Sequence, residues 1–230
     1  ATSAPAVPPV PRHPAQSAAH PSSQRAAPMP ALSVTRVATG LTNPWDVVSI
    51  GAGRLLITER DSAKLLIAKS GVVREVDFPT ENVWVSGETG LMSIALDEQF
   101  ASNRTFFLCQ GFTKKSGTHD VRVGAWRFSA DFVTASRTRW LIKGIPATSG
   151  RHGGCRLLRT SNGALLVGTG DAAAEANPQS LTSLGGKVLR LDPRTGRPWP
   201  TNPWVKSAIK RKRYVFTYGH RNVQGLAQRK

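Results

Sequence analysis

No apolar run in this 230-residue chain approaches the ~20 residues that a bilayer-crossing helix requires, so nothing reads as a membrane-spanning helix. A long apolar stripe at helical spacing is missing too, which excludes an α-helical domain; only Gln179–Leu184 suits a single helical turn. Cysteine is scarce: Cys109 and Cys155 allow one disulfide at most. Acid is also scarce, with 14 Asp and Glu against 31 Lys and Arg, a formal net charge of +17. That excess favours anionic envelope surfaces or polyanions as weakly specific partners. Residues 1–31 contain no acidic residue and half of the 16 prolines. Such a Pro/Ala/Ser segment has no apolar surface to offset the entropy of ordering, so it reads as a disordered tether. His13 and His20 inside it read as solvated filler rather than metal ligands. Residues 32–230 remain as one folded domain, long enough to bury a core.

What the chain does contain is a degenerate repeat. PWDVVSI from Pro44, LMSIALD from Leu91, CRLLRTS from Cys155 and QGLAQRK from Gln224 align, and each of the first three is followed by a turn and a second apolar run. Those runs are Gly53–Arg60, Asn103–Gln110 and Asn162–Asp171, followed by Lys64–Ala68, Val121–Phe128 and Gly186–Pro193. They are short, rich in Val, Leu, Ile and Phe, and bounded by Gly, Asn, Asp or Pro, which is how strands read. A period of about 45–70 residues with four strands per unit predicts an all-β fold, a β-propeller of four-stranded blades. The first strand of each blade lines a central channel, so residues just before it crowd the channel mouth. Glu88, His152 and Arg221 all stand three residues ahead of such a strand, while the first blade offers only Leu41 there. A carboxylate, an imidazole and a guanidinium at one mouth read as a candidate active site.

The segments GLTNPWDVV, GRLLITER, GETGLMSIALDEQF, GRHGGCRLL, LLVGTGD, QSLTSLGGKVLRLDPRTG, TNPW and YGHRNVQGLA occur in this order. Together they resemble the glucose/sorbosone dehydrogenase family, soluble quinoproteins that use pyrroloquinoline quinone (PQQ) to oxidise aldoses, from about Thr39 to Ala227. The resemblance implies a six-bladed propeller with PQQ over the channel mouth and hydride transfer from sugar C1 to the quinone, giving a lactone. By position, His152 matches the family's general base, a role that suits an imidazole near neutral pH. Arg221 matches the arginine that contacts the quinone, and Asn222 a cofactor contact made by its amide. Glu88 matches a Gln or Glu that accepts a hydrogen bond from a sugar hydroxyl. The family pattern His-x-Gly-Gly-Arg-Leu appears as His152-Gly153-Gly154-Cys155-Arg156-Leu157, with Cys155 for the second glycine, where a side chain is expected to crowd the backbone. Arg151 precedes the histidine where some relatives carry an Asp that would hold the ring. Asp171 reads as the cap of a turn.

About three blades and one strand of the six are expected, a truncated half-ring whose open flanks favour self-association. By the same resemblance, the structural calcium ligands and the remaining basic PQQ contacts lie in later blades, beyond this sequence. Three readings stay open: a quinoprotein sugar dehydrogenase acting on an aldose, a noncatalytic exported propeller that binds a ligand or partner at the cell envelope, and an inactive truncated relative. The start at Ala rather than Met reads as leader removal. A tether ahead of a propeller fits an exported, envelope-associated protein, with a lipid-anchored leader outside this numbering. The cluster Lys206, Lys210, Arg211, Lys212 and Arg213 reads as a solvated loop leading into the fourth repeat, since Trp204 and Tyr214 only flank it; no specific nucleic-acid site is expected. The Trp residues read as blade packing. Cys109 and Cys155, on adjacent blades, either pair in an oxidising compartment or remain thiols.

Overall fold

A computed structural model describes residues 31–229. The first 30 residues, which make up nearly all of the expected tether, lie outside the described residues. One compact unit begins at Arg36. Its strands fall into three four-stranded antiparallel sheets, each wound in sequence order. The first is β1 (Pro44–Ser49), β2 (Arg54–Glu59), β3 (Lys64–Lys69) and β4 (Val72–Glu75). The second is β5 (Leu91–Leu96), β6 (Thr105–Thr113), β7 (His119–Phe128) and β8 (Ala135–Ile145). The third is β9 (Gly154–Arg159), β10 (Leu165–Thr169), β11 (Lys187–Leu191) and β12 (Val215–Tyr218). These are propeller blades, and nine of the twelve strands lie on the runs named from sequence.

Alternation along β6 shows how one strand serves two cores. Phe106 and Leu108 point toward the first blade and pack with Leu56, Leu65 and Trp126. Phe107 and Cys109 point the other way, into a second core with Met92, Leu157 and Val167. Successive side chains of a strand face opposite sides, so seven consecutive buried residues satisfy both neighbours. Cys109, in the middle of β6, forms a disulfide with Cys155 of β9 across this second seam, with 6.3 Å between Cα atoms. Both sulfurs lie in the apolar core.

Polar bonds fix the innermost strands. Asp46 of β1 accepts from Ser93 Oγ at 2.7 Å and from the Ile94 N–H at 2.9 Å, and pairs with Arg156 of β9 at 2.8 Å. Ser93 Oγ in turn accepts from the Leu157 N–H at 3.0 Å. Three inner strands are thereby held in step, which is why the segments that precede them converge.

Three sequence expectations need correction. The opening strand of a fourth blade at Gln224 carries no ladder; a strand is defined by a run of bonds to a neighbour, and residues 223–229 supply only the Val223 N–H, 3.5 Å from the Thr169 carbonyl. Instead the Gln224 carbonyl accepts from Arg156 Nε at 2.9 Å. The basic Lys206–Arg213 segment leads into β12, the last strand of the third blade, rather than directly into a fourth repeat. The helical turn occurs at α1 (Ala176–Gln179), ahead of its expected place, because Pro178 is tolerated in a first turn and Ser180 is already extended.

Candidate active site

The turn before β9 and the end of β10 build the centre of the site. The β9–β10 hairpin pairs Gly168 with Arg156 and, after a bulge, Thr169 with Gly154. Two residues further out on each strand stand His152 and Asp171. Asp171 Oδ1 lies 2.8 Å from His152 Nδ1, and both side chains are more than nine-tenths buried. A carboxylate can only accept, so Nδ1 carries the proton and Nε2 presents its lone pair. Nε2 has no partner among the described residues. The carboxylate is itself fixed: Oδ1 also accepts from the Ala173 N–H at 2.7 Å, while the Asp171 carbonyl accepts from Asn177 Nδ2 at 2.8 Å.

Asp171 therefore caps a turn, as its sequence suggests, and also orients the histidine, which sequence reasoning missed. The signal in the hairpin was one residue short: the regular β9–β10 register places position 171 opposite 153, and the bulge between Gly168 and Thr169 shifts it to 152. The loss of orientation expected from Arg151 is corrected by this contact, since Arg151 is exposed and Asp171 supplies the hold.

Close approach falls on the glycines. A Cβ on Gly153 would lie 2.2 Å from Thr89 Oγ1, and one on Gly170 would lie 1.7 Å from the His152 carbonyl oxygen. His152 adopts φ 51°, left-handed backbone that the surrounding bonds must hold. Cys155 does not crowd the turn; its side chain is taken into the core by the disulfide.

Glu88 joins the histidine turn to the segment after β12. Its Oε2 accepts from the His152 backbone N–H at 2.8 Å and from Asn222 Nδ2 at 2.9 Å. Asn222 Oδ1 accepts from the Gly154 N–H at 3.0 Å. Glu88 and Asn222 thus brace the turn, with Asn222's amide largely engaged within the protein. Arg221 joins through its backbone, its carbonyl accepting from the Asp171 N–H at 2.8 Å. Its guanidinium is exposed and has no ion pair or hydrogen bond among the described residues.

The first blade contributes more than expected. Leu41 packs against its apolar face, and the polar group near the mouth is Arg60, directly after β2. The Arg60 carbonyl accepts from the Leu91 N–H at 3.1 Å, and its guanidinium lies 5.2 Å from the Trp45 ring centroid. Hydrogen bonding to Asp61 raises the guanidinium's pKa above the usual arginine value despite desolvation, with smaller contributions from the charges of Asp61 and Glu88. Beneath the site Lys187 is fully buried, and its Nζ donates to the carbonyls of Asn177, Pro178 and Gly185 at 2.6, 3.0 and 2.6 Å. Burial pushes its pKa down to about 8. Among the described residues no cluster of three or more His, Cys, Asp or Glu side chains is arranged to hold a metal ion.

With this geometry established, comparison with known proteins is decisive: the sequence pattern of the Glucose / Sorbosone dehydrogenase family matches residues 41–230. The chain belongs to this family. It is 31% identical over 147 residues to the aldose sugar dehydrogenase YliI of Escherichia coli, an alignment covering 64% of this chain and 39% of that protein. An uncharacterized protein of Synechocystis is 29% identical over 219 residues, covering 86% and 52%. Among solved structures, an oxidoreductase of Thermus thermophilus described as a glucose dehydrogenase superposes with a TM-score of 0.76 at 32% identity, covering 85% of this chain and 56% of that one. The PQQ-bound form of an aldose sugar dehydrogenase from Streptomyces coelicolor superposes with a TM-score of 0.70 at 32% identity, covering 82% and 54%. The chain spans about half the length of most of these relatives and less of YliI.

Proposed function

We propose that this chain carries the proton-abstracting part of a PQQ-dependent aldose dehydrogenase site. The observation that carries this reading is the buried His152–Asp171 pair, tied through the Asp171 N–H to the backbone of Arg221, whose exposed guanidinium has no partner among the described residues. His152 Nε2 takes the proton of the sugar's anomeric hydroxyl, while Asp171 stabilises the imidazolium that results. Glu88 and Asn222 hold the turn so that Nε2 keeps its direction. The donor set fits an anionic quinone: Arg221 offers a cation with no internal partner among the described residues, suited to a carboxylate or quinone oxygen. PQQ, when bound, accepts the hydride that leaves C1 of the aldose, so that the sugar loses one hydride and one proton and becomes a lactone.

The buried Cys109–Cys155 bridge supports an exported protein, because such bonds persist in oxidising compartments. Envelope association belongs to the same reading.

Fluorescence titration of the chain with PQQ, followed by aldose-dependent dye reduction, tests the function. Saturable binding is expected, weakened by Arg221→Ala. His152→Asn is expected to retain binding and lose turnover by about 10²–10⁴-fold. A folded chain that binds no PQQ would overturn the enzyme reading and leave a noncatalytic exported propeller.

A further inference from the structure

After Asp192 the sequence contains no acidic residue. Within this stretch the connection from β11 to β12 carries Lys206, Ile209, Lys210 and Arg211, all exposed, with Ile209 47% accessible amid the cations. None of the three cations has an ion-pair partner among the described residues.

The loop is held in one shape. Asn202 is buried, and its Nδ2 donates to the carbonyls of Arg190 and Arg213, both at 2.8 Å. The Ser207 N–H donates to the Trp204 carbonyl at 2.9 Å, the Ile209 N–H to Ser207 Oγ at 3.2 Å, and Arg213 Nε to the Ser207 carbonyl at 2.6 Å. Little conformational entropy remains to be lost when the crest meets a surface.

A polyanion in water would use the cations and gain nothing from an exposed isoleucine between them. Nor is there a free aromatic platform for bases: Lys212 Nζ lies 5.7 Å from the Trp204 ring centroid, and Tyr218 meets that ring edge-on. A lipid interface uses both features, since headgroup phosphates attract the cations and the acyl boundary takes the apolar side chain. We propose that residues 206–213 dock the protein on an anionic phospholipid surface, with Ile209 entering the interface between Lys206, Lys210 and Arg211. The docking does not depend on the dehydrogenase reading.

Cosedimentation of the full chain with vesicles of phosphatidylcholine and phosphatidylglycerol, against phosphatidylcholine alone, tests it. Binding to the anionic vesicles only is expected, weakening as salt rises. The triple variant Lys206→Glu, Lys210→Glu, Arg211→Glu should lose at least about tenfold in affinity. Ile209→Ser should lose about threefold or more at constant charge. A charge-matched control, Lys69→Glu, Arg74→Glu, Lys115→Glu, should stay within about twofold. Circular dichroism and thermal melting confirm that each variant is folded. Failure to bind anionic vesicles overturns the proposal, as does an equal loss in the control. It is also overturned if Ile209→Ser has no effect while a single-stranded oligonucleotide binds the same loop as tightly, which would make it a general polyanion patch.

Discussion

Asp171 Oδ1 lies 2.8 Å from His152 Nδ1, and the same aspartate's backbone N–H is held at 2.8 Å by the carbonyl of Arg221. One residue thus couples the imidazole, the turn that precedes β9 and the segment that presents the free guanidinium. Oδ1 accepts from both the Ala173 N–H and Nδ1, so Asn at position 171 could keep its oxygen there, whereas Ala removes the acceptor from both donors. In Asp171→Ala the Nε2–H tautomer should become populated, visible in long-range proton–nitrogen NMR of the His152 ring. Aldose turnover should fall about 10²–10⁴-fold while PQQ affinity changes little. A wild-type-like tautomer in the variant would remove Asp171 from this role.

Glu88 makes a different prediction, because its two known partners are donors belonging to the protein. Glu88→Ala leaves the buried backbone N–H of His152 and one donor of Asn222 without an acceptor, costing about 1–3 kcal/mol. Glu88→Gln retains an oxygen and should recover most of that loss. Urea denaturation of the three proteins checks the order. An alanine variant as stable as the wild type would return Glu88 to the sugar contact expected from its position.

The blades were legible because their strands are short runs of Val, Leu, Ile and Phe closed by turn residues, a local pattern that tertiary structure did not override. The convergence of the His152 and Arg221 segments was legible through shared offset and motif. Asp171's second role was not, since it depends on a hairpin register that crosses a bulge. Lys187 was equally hidden: a lysine opening a strand reads as exposed, and only the folded loop brings three carbonyls to its ammonium. Arg60 escaped notice because it follows a second strand, while attention to the mouth fell on residues preceding first strands. The Gln224 strand was anticipated from its residues alone, but pairing is a property of two segments.

The Cys109–Cys155 bridge closes a loop that spans most of the second blade. Reduction, or the double substitution to Ala, releases that constraint on the unfolded chain and also removes two buried core side chains. A loss of about 2–5 kcal/mol is expected. Thermal melts with and without reductant measure it, and the double variant should be indifferent to reductant. An unchanged midpoint for the wild type after verified reduction would mean that seam packing alone holds the blades.

Lys187 links stability to alkaline pH. Desolvation lowers its folded pKa from 10.5 to about 8, so between these values the unfolded chain binds a proton that the folded chain does not. Stability from this group is therefore fully present above about 10.5 and lost as pH falls through about 8. The three carbonyl acceptors favour the ammonium and keep the gain below about 3 kcal/mol. Lys187→Met abolishes this titration and removes three charge-assisted hydrogen bonds; the Asn177 and Pro178 carbonyls keep the N–H groups of Ser180 and Gly219, but the Gly185 carbonyl loses its donor, so the variant should be less stable than the wild type at neutral pH. The gap between the two proteins, followed by urea denaturation from about pH 7 to 10.5, should widen as pH rises; a constant gap would mean that the ammonium keeps its ordinary affinity for protons beneath the candidate site.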